Sequence, residues 1–363
     1  MKKNIEPVYY GEYLQLDKLL SAQAPHSTKY GETAHDETLF IIVHQVYELW
    51  FKQILHELST VLSVFAEEQV KDQQLTTVVH RLKRVISIQE LLNDQIAVME
   101  TMTPQDFLAF RDYLVPASGF QSIQFKMLEI GLGLKHQFRI DFDKQSFYMR
   151  LNEADRNFLQ DLENKPSLFE LVDKWLARMP LLEFGDFKFW SVYEAATNKM
   201  LDNDAQIISD NPTLTEKDKE LELKELSATR QLFAALLDEK EYLKWQEQGQ
   251  FRLSQKALLS ALFIHQYREE PLFNLPYQFI TCLTEIDEKL TIWRYRHAMM
   301  VQRMLGSKIG TGGSSGHDYL KRTTESNRIF KDFFSMATFL LPKTALPDLP
   351  EAVRRQLGFY LTL

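Results

Sequence analysis

The sequence predicts an all-α protein, and three observations carry the prediction. Apolar residues recur in steps of three and four along most of the chain. Capping residues and prolines stand where helices would begin. Strand-like alternation is scarce, visible only in "HQFRIDF" (His136 to Phe142), which is expected to be extended. The chain has 363 residues, 45% hydrophobic and 12% aromatic, enough to fill a core and also line a pocket with rings.

The first long helix is expected from Thr38 to Phe65. Phe40, Tyr47, Phe51, Ile54, Leu58, Val61 and Phe65 share one stripe, and His44 fills the gap between the first two. Asp36 stands ahead of it as an N-cap. A second helix should run from about Leu75 to Met99, with Val78, Leu82, Val85, Leu92 and Val98 as its apolar positions. Thr103 then reads as an N-cap with Pro104 in the first turn, opening a short helix through Phe107, Phe110 and Arg111. "VPASGFQS" (Val115 to Ser122) is a turn leading into another helix. From Ala195 to Gln250 charge rises, and the segment reads as a hairpin of surface helices. Residues 1–194 and 251–363 would therefore form the core, with 195–250 a helical insertion. Periodicity resumes at Ser254 and, after Pro271, runs to Met304.

Composition narrows the function. Net charge is −8 and no basic block could track a phosphate backbone, so nucleic acid is not an expected partner. No window approaches the roughly 18 apolar residues of a membrane span. The N-terminus carries no signal-peptide pattern. Cys282 is the single cysteine, which leaves no internal disulfide, no Cys-rich metal site and no "CxxCH" haem attachment. A cytoplasmic setting is expected.

His297 continues the stripe of Leu283, Ile286, Leu290, Trp293, Met300 and Met304. Taken alone, such a histidine reads best as a core residue bonded to a backbone carbonyl. Two imidazoles, His44 and His297, on the stripes of two long helices are harder to dismiss. Zinc would want three or four local ligands, and "HExxH" is absent. A di-iron bundle would want Glu-x-x-His pairs facing inward, whereas "ETAH" (Glu32 to His35) lies in a polar stretch. Haem asks least: one imidazole on the iron, a polar group opposite, and apolar walls. "GTGGSSG", which contains Thr311, follows a helix rather than a strand and lacks phosphate-loop spacing, leaving a linker or a lid. Arg111 is either a solvated partner of Asp106 or Asp112, or a clamp for a ligand carboxylate.

Five ordered motifs resemble the tryptophan 2,3-dioxygenase family: "YYGEYLQLDKLL" (Tyr9 to Leu20), "HDETLFIIVHQVYELWFKQILHEL" (His35 to Leu58), "FRDYLVPASGFQS" (Phe110 to Ser122), "YREEP" (Tyr267 to Pro271) and "WRYRHAMMVQRMLGSKIGTGGSSG" (Trp293 to Gly316). The resemblance implies an all-α homotetramer that binds haem b without a covalent link. It also implies opening of the indole C2–C3 bond of L-tryptophan by O2 to give N-formyl-L-kynurenine. By the same resemblance His297 is the proximal iron ligand and His44 the distal histidine that meets the indole N–H. Arg111 would hold the substrate carboxylate, Thr311 would meet its ammonium or carboxylate, and Phe40 and Phe107 would wall the indole. Tyr10, Tyr13 and Leu14 would complete a neighbouring subunit's pocket. His317 falls where the family varies and takes no role. The 195–250 segment resembles the longer members. The rival classes are a haem-based sensor, a helical scaffold whose histidines are merely satisfied, and a dioxygenase for another indole.

Overall fold

A computed structural model describes residues 6–139, 147–148, 151–179, 183–184, 187–306 and 316–357. Three long helices make its frame: His35–Phe65, Asp72–Met99 and Asn274–Leu305. The first two run antiparallel, stapled by the Tyr47 hydroxyl on the Leu92 carbonyl (2.8 Å) and by Arg84 on Glu57 (2.9 Å). The third lies parallel to the second. There Gln89 donates to the Ile286 carbonyl (3.3 Å) and Asn93 to the Lys289 carbonyl (3.2 Å). Ile54, Val61, Val78, Leu82, Phe279, Leu283 and Ile286 meet in the seam and are almost fully buried. The two bridges satisfy the buried amide NH2 groups, while Oε1 of Gln89 and Oδ1 of Asn93 have no partner among the described residues.

Most sequence expectations hold, with corrections at the edges. The first helix begins at His35 with Ala34 as its N-cap, so Asp36 lies inside the first turn, where a carboxylate still suits the helix dipole. Its neighbour Glu37 is buried, accepting the amides of His26 (2.6 Å) and Ser27 (2.9 Å). Thr103 caps Pro104–Arg111 as expected. Val98 is exposed, and Met99 takes the buried position at the end of its helix. Of "HQFRIDF", His136–Phe138 form a 3-10 turn, and residues 140–142 lie outside the described residues. The weak alternation there marks one inward side chain: Arg139 is buried and reaches Glu129 (2.8 Å) and the Leu134 carbonyl (3.0 Å). A two-stranded pairing the periodicity did not suggest, Glu183–Phe184 with Phe187–Lys188, precedes helix Phe189–Asp210.

The charge-rich segment forms helices. Phe189–Asp210 and Glu216–Leu237 pair, with Arg230 on Asp202 (2.7 Å), and Glu239–Glu247 follows. Their buried side belongs to the main core: Phe233 packs edge-on against Phe339 at 5.5 Å. No helix among the described residues is long and apolar enough to cross a membrane.

Helix Ile123–Leu132 ends on Gly133 at φ +131°, a backbone region that disfavours other residues. A Cβ there would stand 2.5 Å from the Phe169 Cβ, while the Gly133 carbonyl accepts from Arg252 at 2.8 Å. Gly133→Ala is expected to cost about 1–3 kcal/mol from backbone strain alone, with the clash adding to it. A lower urea midpoint at unchanged slope would show this, and an unchanged midpoint would contradict it.

Candidate active site

The frame helices and the short Pro104–Arg111 helix border a partly open cavity of about 310 Å³. Phe40 and His44 come to it from the first long helix, Phe107 and Arg111 from the short one, and His297 from the third. Phe40 is the hub of its aromatic wall, 5.7 Å from Phe107 and 5.5 Å from the buried Phe110. Met99, Met102, Met300 and Met304 add pliable apolar surface. Sequence spacing thus brings five singled-out residues to one chamber. Tyr10, Tyr13 and Leu14 are not among its lining. They sit on the short helix Tyr10–Leu14 and are 76%, 75% and 41% exposed. Thr311 lies outside the described residues.

The two imidazoles are satisfied differently. His44 Nδ1 lies 2.7 Å from the Phe40 carbonyl one turn back, and its ring packs on the Phe40 ring at 4.1 Å. A carbonyl can only accept, so Nδ1 carries the proton and Nε2 keeps its lone pair. Burial lowers the pKa of His44, opposed by that carbonyl and by the Glu48 carboxylate, which favours the neutral ring. His297 has no such bond. Its Nδ1 is sealed from solvent and has no partner among the described residues, leaving Nε2 to meet whatever the cavity holds. Burial, and after it the nearby His44 imidazole, pulls its pKa down to about 4.

Several lining residues escaped the sequence reading. Glu48, one turn beyond His44, accepts from Ser122 (2.6 Å) and Gln124 (2.8 Å), tying the "VPASGFQS" turn to the cavity wall. The spacing from His44 could have flagged it. Glu129 could not be found that way, because Arg139 (2.8 Å) and Arg294 (2.7 Å) reach it from remote segments. Burial pushes its carboxyl up, but the two guanidiniums outweigh that and hold it at about 2. Arg111, Lys126, Arg139 and Arg294 stand against the carboxylates Glu48 and Glu129, so the described wall carries a surplus of positive charge.

Fold and site together define a helical enzyme pocket in which two imidazoles on separate helices share one partly open aromatic chamber. The family model described as Tryptophan 2,3-dioxygenase matches residues 2–340. The chain is 71% identical over 361 residues to the tryptophan 2,3-dioxygenase of Alteromonas mediterranea, covering 99% of this chain and 100% of that protein. To that of Bdellovibrio bacteriovorus it is 48% identical, covering 98% and 99%, and to that of Dictyostelium discoideum 47%, covering 97% and 88%. The chain belongs to the tryptophan 2,3-dioxygenase family.

Proposed function

We propose that this chain is a haem-dependent dioxygenase that opens the indole C2–C3 bond of L-tryptophan with O2. The product is N-formyl-L-kynurenine, the first step of tryptophan catabolism by the kynurenine pathway. The observation that carries the reading is His297, a half-buried imidazole whose buried Nδ1 has no partner among the described residues, facing the same chamber as His44. A merely satisfied core histidine would resemble His265, whose Nδ1 sits 3.0 Å from the Ala261 carbonyl.

Haem b fits the residues present. His297 would hold the iron, the apolar walls suit a macrocycle, and the surplus of cations suits its carboxylates. Bound there, haem supplies the activation of O2, a task no side chain in the chamber can perform.

The chain's own part is binding and orientation. Neutral His44 offers Nε2 as acceptor for the indole N–H, and the bond to the Phe40 carbonyl holds the tautomer that makes this possible. Phe40 and Phe107 form the slot for the ring system, and Arg111 presents a planar guanidinium to the substrate carboxylate. Thr311 would close on the amino-acid end. Helix Tyr10–Leu14 buries none of its residues in this subunit, which supports a role for Tyr10, Tyr13 and Leu14 in a neighbour's pocket; the family resemblance makes the assembly a homotetramer. The enzyme would work in the cytoplasm.

Mixing ferrous, haem-loaded protein with L-tryptophan and O2 should produce the near-ultraviolet absorbance of formylkynurenine. An intact Soret band without product would instead favour a sensor, and protein that stays colourless with hemin a helical scaffold.

A further inference from the structure

Three helical histidines, His44, His265 and His297, invite comparison, and two of them settle their orientation in the same way. His44 and His265 each place Nδ1 against the carbonyl one turn back, at 2.7 and 3.0 Å. His297 does not, although the equivalent carbonyl, that of Trp293, is present. A metal-binding histidine ordinarily donates its second N–H to a carboxylate or carbonyl, and that bond fixes the plane of the ring. For His297 the usual device is missing among the described residues.

What touches the ring instead is an indole. Trp293, one turn back on the same helix, stacks on the imidazole with centroids 5.1 Å apart and planes 25° from parallel. Side chains four apart on a helix lie one above the other, so this contact follows from the sequence spacing. The indole is itself confined. Phe125 packs on it at 5.1 Å, and Tyr47 meets it edge-on at 6.1 Å. Tyr47 in turn is pinned by its hydroxyl on the Leu92 carbonyl. Beside Trp293 lies a void of only about 10 Å³, bounded by Phe51, Ile54 and Leu128, barely enough for one water. The indole N–H is buried and approaches the Tyr47 hydroxyl, a contact that keeps the ring in the same wedge.

We propose that Trp293 is the positioning residue of His297, its wedged indole fixing the imidazole plane by stacking where a hydrogen bond ordinarily would. The proposal rests on the reading that His297 ligates haem iron. A face-to-face contact restricts tilt and rotation of the ligand ring without donating charge to it, and leaves Nδ1–H unpaired. Phe at position 293 would keep a flat surface, whereas Leu would not.

The test compares Trp293→Phe, Trp293→Leu and His297→Ala with wild type as haem-loaded proteins. The readouts are hemin affinity and the iron–imidazole stretching band in resonance Raman spectra of the ferrous form. Trp293→Leu should weaken hemin binding about tenfold, as loss of an outer partner typically does, and broaden the band as the ring samples several orientations. Trp293→Phe should keep a single sharp band, which a purely structural loss of bulk would not rescue. Phe125→Leu, which loosens the wedge without removing it, should broaden the band to a smaller degree and serves if Trp293→Leu does not fold. A wild-type band and affinity in both Trp293→Leu and Phe125→Leu would overturn the proposal while His297→Ala still loses the band. A His297→Ala protein that keeps the wild-type band would overturn ligation by His297, and the proposal with it.

Discussion

His297→Ala, purified and supplied with hemin, should show no axial-imidazole Soret band and no detectable turnover of L-tryptophan, yet its apo form should fold as well as wild type. The second half of that expectation comes from the structure. Nδ1 of His297 is buried without a partner among the described residues, and an unmet polar atom of that kind costs about 1–3 kcal/mol. Against this, alanine gives up the stacking contact with Trp293, worth about 0.5–1.5 kcal/mol. Because the ring borders an existing cavity, its removal enlarges a space instead of opening a new one in packed core. The balance predicts an apo-protein stability near or above wild type by thermal or urea unfolding. His265→Ala should do the opposite: it loses a satisfied ring bonded to the Ala261 carbonyl and packed edge-on to Tyr277 at 5.0 Å. A residue whose loss abolishes function but spares the fold is held for its ligand. If His297→Ala retained the Soret band and turnover, iron ligation by this side chain would be wrong.

How much of this was legible in the sequence depends on whether local spacing controls the feature. The frame helices were, because each buries one stripe and the stripe repeats with the turn. The positions of His44 and His297 on those stripes were legible for the same reason, and they led to the cavity. The insertion boundary at residue 195 falls inside a helix, which charge alone cannot locate. Phe189–Asp210 starts earlier, and its buried face, through Tyr193, Thr197 and Leu201, continues past the point where charge rises. Rising charge there reports only that the opposite face is wet. In "HQFRIDF" the 3-10 turn His136–Phe138 is not legible, although Arg139 after it is extended, and its buried partner Glu129, ten residues back, gives no periodic signal. Trp293 was legible as an apolar stripe residue, but its role beside His297 needed the ring geometry and the unpaired Nδ1, neither of which spacing can encode.

Arg111→Ala should raise KM for L-tryptophan steeply while leaving the haem spectrum nearly unchanged. Arg111 comes to the chamber at the end of the short helix opened by Thr103 and Pro104, beside Phe107 and the buried Phe110. That wall holds the guanidinium in a partly buried setting, where a fork of donors matches a carboxylate and water competes poorly. Truncating one partner of a buried, hydrogen-bonded charge pair costs about 2–5 kcal/mol. At tenfold per 1.4 kcal/mol, that is a rise in KM of roughly thirty-fold to several-thousand-fold. Arg111→Lys should recover only part of the loss, since an ammonium is a point charge and not a planar fork. Tryptamine, which keeps the indole and amine but lacks the carboxylate, separates the clamp from a general disturbance of the pocket. Wild type and Arg111→Ala should bind it alike, because the aromatic slot of Phe40 and Phe107 and the acceptor on His44 are the same in both. An unchanged KM for tryptophan, or an equal loss for tryptamine, would remove Arg111 from the carboxylate and make it part of the wall.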